Sequence, residues 1–166
     1  MCYIKNKQEE AMTKKSNVIE VPQFQDVTLT KGEVIALMNS RGFNSLVNNE
    51  VIPASIKYWL RRFRNELISI TKTIEELRME RLNIISEKDE NGKPKKEKNG
   101  SFVIPDAERI KFEEEFTVLL KEEAELPFKK IIIDLATFPE NTLSAASMNE
   151  VECIVVFIEP KEEEGK

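Results

Sequence analysis

The stretch KYWLRRFR interleaves Lys57, Arg61, Arg62 and Arg64 with Tyr58, Trp59 and Phe63. Cations at that density neutralise phosphates and aromatic faces stack on bases, so the pattern carries a nucleic-acid-binding chemistry. A second set of cations, Lys93, Lys95, Lys96 and Lys98, lies in SEKDENGKPKKEKNGSFVIPDAE around two Asn-Gly pairs. These lysines can meet an acidic protein surface, or simply keep an exposed strand edge from associating. Acids gather at 113–115 and 122–123, on what reads as a solvated helix face. The segment DENG has the start of a calcium loop, but its glycine comes fourth rather than sixth and lysine takes ligand places, so no metal site is read there.

Catalytic chemistry has little to work with. The chain of 166 residues contains no histidine, which removes His-dependent triads, the usual zinc hydrolase sites and the commonest general base near neutral pH. It has five glycines and no phosphate loop, nucleophile elbow or metal-ligand cluster. No catalytic residue, metal or cofactor is therefore predicted, and the chain reads as a non-enzyme. Cys2 and Cys153 stand far apart, unlike the cysteines of a secreted disulfide scaffold, which points to a reducing cytoplasm. A net charge of -5 supplies no general field toward nucleic acid or anionic lipid. No run approaches the roughly 18 apolar residues of a membrane span, and the N-terminus lacks the apolar core of a signal peptide.

The elements that position these residues follow from periodicity. Residues 1–17 and 159–166 read as tails around a single domain of residues 18–158. NVIEVPQFQDVTL is rich in β-branched residues and contains a proline, which suits one or two short edge strands. Thr30 and Glu33 form a capping box for a short helix, with Gly42 as its stop. From Pro53, the residues Ile56, Leu60, Phe63, Leu67, Ile70, Ile74, Leu77 and Ile84 recur at alternating spacings of four and three, interrupted only at Arg81. This is a heptad seam on a helix running to about residue 87. Ile68, Met79, Leu82 and Ile85 widen the stripe and suggest a second neighbour, including a second copy of the chain. A third helix begins at Asp106 as N-cap and stops at Pro127, with Phe112, Phe116 and Leu119 on its seam. Between them, Asn99-Gly100 closes a β-hairpin and Asn91-Gly92 turns the chain out of the long helix, so residues 88–104 form a tip.

The predicted fold is mainly α, of the α+β class: an antiparallel helical hairpin with a small β-hairpin tip and a base of short strands and helices. Charge supports the pairing. Residues 53–72 hold five cations against Glu66, and residues 106–125 hold eight acids against three cations. The base takes a strand at 128–135. Its last piece, SMNEVECIVVFIEP, has helical spacing behind a Ser147–Glu150 capping box, whereas CIVVFI alone is a buried strand; helix is the preferred reading and strand stays open.

The order of these elements resembles a family of small bacteriophage proteins of unknown function, whose genes often lie among the late, tail-associated genes. The resemblance covers residues 27–158 and rests on VIPASIKYWLRRFRNELISITKTIEEL, the double-turn EKDENGKPKKEKNGSFVIPDAERIKFEEEF, the strand KKIIIDL and the closing LSAASMNEVECIVVFIE. The chain departs in its longer N-terminal tail and in the aromatic, basic KYWLRRFR. The resemblance implies a phage or prophage setting and carries over no active-site residues. The expected function is a non-enzymatic interaction protein, a virion or tail component or an assembly helper, acting with a protein partner in the infected cell's cytoplasm or in the virion. The alternative is an intracellular inhibitor of a host protein. Nucleic-acid binding is the weaker reading, because Trp59 adjoins the seam, Phe63 lies in it, and the arginines have glutamates to face on the third helix.

Overall fold

A computed structural model describes residues 25–137 and 143–158. The tails predicted at 1–17 and 159–166, the start of the N-terminal edge-strand segment and Cys2 lie outside them. The architecture is mixed α+β, with five α-helices and two two-stranded sheets among the described residues.

Strand β1 (Leu29–Thr30) runs directly into α1 (Lys31–Asn39). The capping box is present: Glu33 N–H donates to Thr30 Oγ1 at 3.2 Å and Thr30 N–H to Glu33 Oε2 at 2.7 Å. Helix α1 ends at Ser40, before the predicted stop. Ser40 closes α1 and caps α2 (Arg41–Asn48), its Oγ accepting from Phe43 N–H at 3.1 Å. Gly42 is therefore inside a second helix instead of ending the first. It is glycine because α2 crosses α5 there: a Cβ would lie 2.4 Å from the Ser147 carbonyl oxygen.

Helix α3 (Ala54–Ile85) is the long element, about 48 Å at about 1.5 Å per residue. Its seam buries Leu60, Phe63, Leu67 and Ile74, with Ile56 and Ile70 half-buried against the same core. Farther on the seam fails: Leu77 is 48% and Ile84 61% exposed, while Leu82 and Ile85 are buried instead. A straight helix drifts by about 20° per heptad against a strict seven-residue repeat. Over the four heptads from Ile56 to Ile84 the buried line has moved to the flanking residues.

Helix α4 (Asp106–Lys121) starts with Asp106 as its first helical residue, behind Pro105 at the cap position and without a side-chain cap. It ends well before Pro127, because Glu123–Ala124 form β2, antiparallel to β1. Arg81 links α3 to α4 through Glu115, at 3.1 and 3.2 Å. Glu115 thus meets a cation outside residues 53–72, and among the described residues no ion pair joins the acids of 106–125 to the cations of 53–72. Two α4 cations pair within their own helix, Arg109 with Asp106 and Lys111 with Glu108.

Strand β3 (Ile131–Asp134) lies within the predicted 128–135 segment. A 3-10 turn (Leu135–Thr137) follows, and α5 (Ala145–Val151) leads to β4 (Val155–Ile158), which pairs parallel with β3. The ambiguous last segment is thus a helix and then a strand. Its cap is Ser144, whose Oγ accepts from Ser147 N–H at 3.1 Å, and not Ser147 with Glu150. Glu150 accepts instead from the N–H of Gly42, at 2.5 Å. Phe43 and Leu46 of α2, Val34 of α1, Leu60, Phe63 and Leu67 of α3, Ile133, Val151, Ile154 and Val155 form one core at this base.

Candidate functional site

Two surfaces carry the residues singled out by the sequence. The first is the tip. Two turns of the same build follow one another: Asp89 N–H donates to Lys93 O at 2.8 Å and Gly92 N–H to Asp89 O at 2.9 Å, then Glu97 N–H to Ser101 O at 2.8 Å and Gly100 N–H to Glu97 O at 3.0 Å. Each is a three-residue loop ending in a left-handed glycine, with φ of 74° at Gly92 and 87° at Gly100. The Asp89 and Asn99 side chains brace the two loops by accepting from backbone N–H groups of Lys93 and Ser101. Asn91-Gly92 therefore closes a hairpin of its own and does more than turn the chain. The passes are held to each other by Glu87 N–H to Val103 O, Lys95 N–H to Glu87 O and Val103 N–H to Lys95 O.

All four tip lysines are exposed, but they are not equivalent. Lys95 pairs with Glu87 at 3.2 Å, and the Lys96 ammonium sits 4.7 Å from the centre of the Phe102 ring. Phe102 is thus covered by Lys96. Lys93 and Lys98, one at each turn, have no ion-pair partner among the described residues.

The second surface surrounds KYWLRRFR. Arg61 and Arg62 are exposed, while Lys57 and Arg64 are half-buried, and Arg64 Nε has no hydrogen bond. The Arg62 guanidinium is occupied, 5.5 Å from the Trp59 ring centre and 5.9 Å from that of Phe128. The four cations do not come out together as one phosphate-binding face. Phe63 is core, as expected, but Trp59 is 48% exposed and stacks edge-on against Tyr58.

Trp59 stands over a groove of about 530 Å³ that sequence reading missed. Ile56, Trp59 and Phe63 line it from α3, and Phe128, Ile131 and Ile132 from the segment entering β3. Its rim cation Lys130 donates to the Glu152 carbonyl at 3.0 Å. Trp59 flanks the seam residues Ile56 and Phe63 at helical spacing and Phe128 stands just ahead of the predicted strand, but only the fold brings the two segments together. A second apolar hollow, lined by Met38, Ile68 and Met79, is what remains of the widened stripe, since Leu82 and Ile85 are buried.

Among the described residues no three of His, Cys, Asp and Glu converge to hold a metal ion. Burial pushes the Cys153 thiol above its ordinary pKa, with only partial opposition from backbone N–H groups and Lys130, so the thiol stays protonated near neutral pH. No helix among the described residues is long and apolar enough to cross a membrane. The chain matches no family model, no curated protein and no solved structure with which it was compared.

Proposed function

We propose that the protein is a non-enzymatic interaction protein in which α3 and α4 act as an antiparallel helical hairpin presenting residues 88–104 as a β-hairpin tip to a protein partner. The observation that carries this reading is the construction of the tip. Two hydrogen-bonded turns, each ending in a positive-φ glycine, hold Lys93 and Lys98 exposed and without an ion-pair partner among the described residues. Side chains on a preformed scaffold lose little order on binding, so rigid turns spend less of the contact energy on organisation. The partner chemistry that fits is an acidic protein surface.

The setting is a phage or prophage, on the resemblance of element order alone, and the favoured role is a virion or tail component or an assembly helper. Affinity capture from cells producing the protein tests the tip. A partner recovered in stoichiometric amount by the unaltered chain should be lost with Lys93→Glu/Lys98→Glu and kept with Arg61→Glu. Recovery that is indifferent to the tip charges overturns the reading. Mass spectrometry of purified particles separates the particle role, with a stoichiometric signal, from the intracellular inhibitor, with none. A second copy is a further partner in this reading, seated on Met38, Ile68 and Met79. Sedimentation should then show a dimer that Ile68→Glu turns into a monomer, and a monomer for the unaltered chain removes this part.

A further inference from the structure

Helix α3 carries a second line of residues beside its buried seam. Ile68, Lys72, Glu75 and Met79 follow one another at spacings of four, three and four, the rhythm of a heptad seam. Ile68 is 43% exposed and Met79 half-buried, and with Met38 of α1 they line a hollow of about 460 Å³. Lys72 and Glu75 border the same hollow and are exposed. The order of the four is its own complement when reversed. An apolar residue stands at each end, a cation and an acid stand between them, and the spacings are the same from either end.

We propose that a second copy of the chain docks here with its α3 antiparallel, about a two-fold axis at the level between Thr73 and Ile74, so that the pair carries its two tips at opposite ends. This rests on the reading of a second copy seated on Met38, Ile68 and Met79, and adds its orientation and what that orientation does.

About a two-fold axis one patch serves on both copies. A residue before the axis faces the residue equally far beyond it on the second copy, so Ile68 faces Met79 and Lys72 faces Glu75. Each of these contacts occurs twice. Glu76, one residue on, adds to the acid that Lys72 meets. A parallel pairing along the same line would set Lys72 against Lys72 and Glu75 against Glu75, and that juxtaposition of like charges disfavours it. The ion pairs within the chain do not stand in the way. Lys72 pairs with Glu76 at 3.6 Å and Glu75 with Arg78 at 2.9 Å, both as exposed pairs along α3. Such pairs are weak in water and are readily exchanged.

The consequence lies at the tips. Helix α3 ends at Ile85, so the two helix ends stand about 35 Å apart along the axis, at about 1.5 Å per residue, and a tip continues beyond each. The pair is then a connector with Lys93 and Lys98 at both ends, able to bridge two acidic surfaces at once. Two such sites on one body hold a repeating surface more tightly than one.

Cross-linking in full chains that carry Cys2→Ser and Cys153→Ala reads the orientation. A chain with Ile68→Cys mixed with one carrying Met79→Cys should give a 68–79 disulfide on mild oxidation with copper phenanthroline, identified by peptide mass spectrometry. Ile68→Cys alone should give almost none, because the two copies of residue 68 lie about 17 Å apart along the axis, too far for a disulfide. Sedimentation gives a second readout. Lys72→Glu and Glu75→Lys should each weaken self-association at least tenfold, and an equimolar mixture of the two should recover it. A 68–68 or 79–79 disulfide, or a dimer indifferent to both charge reversals, overturns the antiparallel pairing and leaves the second-copy reading standing. A monomer for the unaltered chain removes both.

Discussion

A methyl group at Gly42 would sit 2.4 Å from the Ser147 carbonyl oxygen and 2.9 Å from Glu150 Oε2, the acceptor of its own N–H. The near obstacle is backbone on another helix, so α2 and α5 must move apart to admit it. Gly42→Ala should cost roughly 1–3 kcal/mol in urea unfolding, in the range of core overpacking. Gly100→Ala meets no atom within 4 Å but keeps a φ of +87°, and should cost only about 1–2 kcal/mol of local strain. Cys153 makes a pH prediction. Burial holds its thiol pKa above the ordinary value, so on raising the pH the unfolded chain gives up this proton first. Its contribution to stability is level below about pH 8.5, the ordinary thiol value, and falls as pH rises from there toward the raised pKa. In a Cys2→Ser background the alkaline drop in urea midpoint should shrink when Cys153 is replaced by Ala. An unchanged drop would assign it wholly to other groups.

Helix α3 and helix α4 share a sequence rhythm but not a degree of burial. Leu67 is fully buried, whereas α4 contains no buried residue and Phe116 is half-covered beside Leu77 and Arg81. Leu67→Ala should therefore cost roughly 2–5 kcal/mol, and Phe116→Ala about half of the roughly 3–5 kcal/mol of a fully buried phenylalanine. Thermal unfolding of the two variants measures the contrast, and equal losses would mean that α4 is covered by something else. The same contrast explains what the sequence could reveal. Thr30 with Glu33, the seam from Ile56 to Ile74 and the Asn-Gly turns are local patterns, and each is found where the pattern puts it. β2 ending α4 short of Pro127 depends on β1, far along the chain, which periodicity cannot see, whereas Ser40 and Ser144 cap their helices through local contacts that compete with the neighbouring signals of Gly42 and Ser147. The tip lysines were legible as a group. The Trp59 groove was not, because half of it comes from residues 127–132 and only the fold brings them to α3.

At the scale of the whole molecule, the tip lies beyond the core. Residues 88–101 are almost wholly exposed, and their hydrogen bonds are mostly to one another. Replacing residues 89–102 by a short Gly-containing linker changes loop-closure cost by only about 1 kcal/mol. The shortened protein should remain helical by circular dichroism and melt near the intact one; aggregation or unfolding would make the tip part of the core. The base is the opposite case, because the two ends of the chain build it together. Thr30 pairs with Glu123, and α2 packs on α5. During synthesis, at about 5–20 residues per second, Phe43, Leu46 and Val47 leave the ribosome with their partners about a hundred residues behind. For roughly 5–20 s they stay uncovered, a window in which chaperones compete with self-association. A message cut short before Ser144 makes that window permanent. Pulse-chase labelling should show such a chain degraded within minutes while the full-length product persists, so that the cell accumulates complete copies and clears unfinished ones.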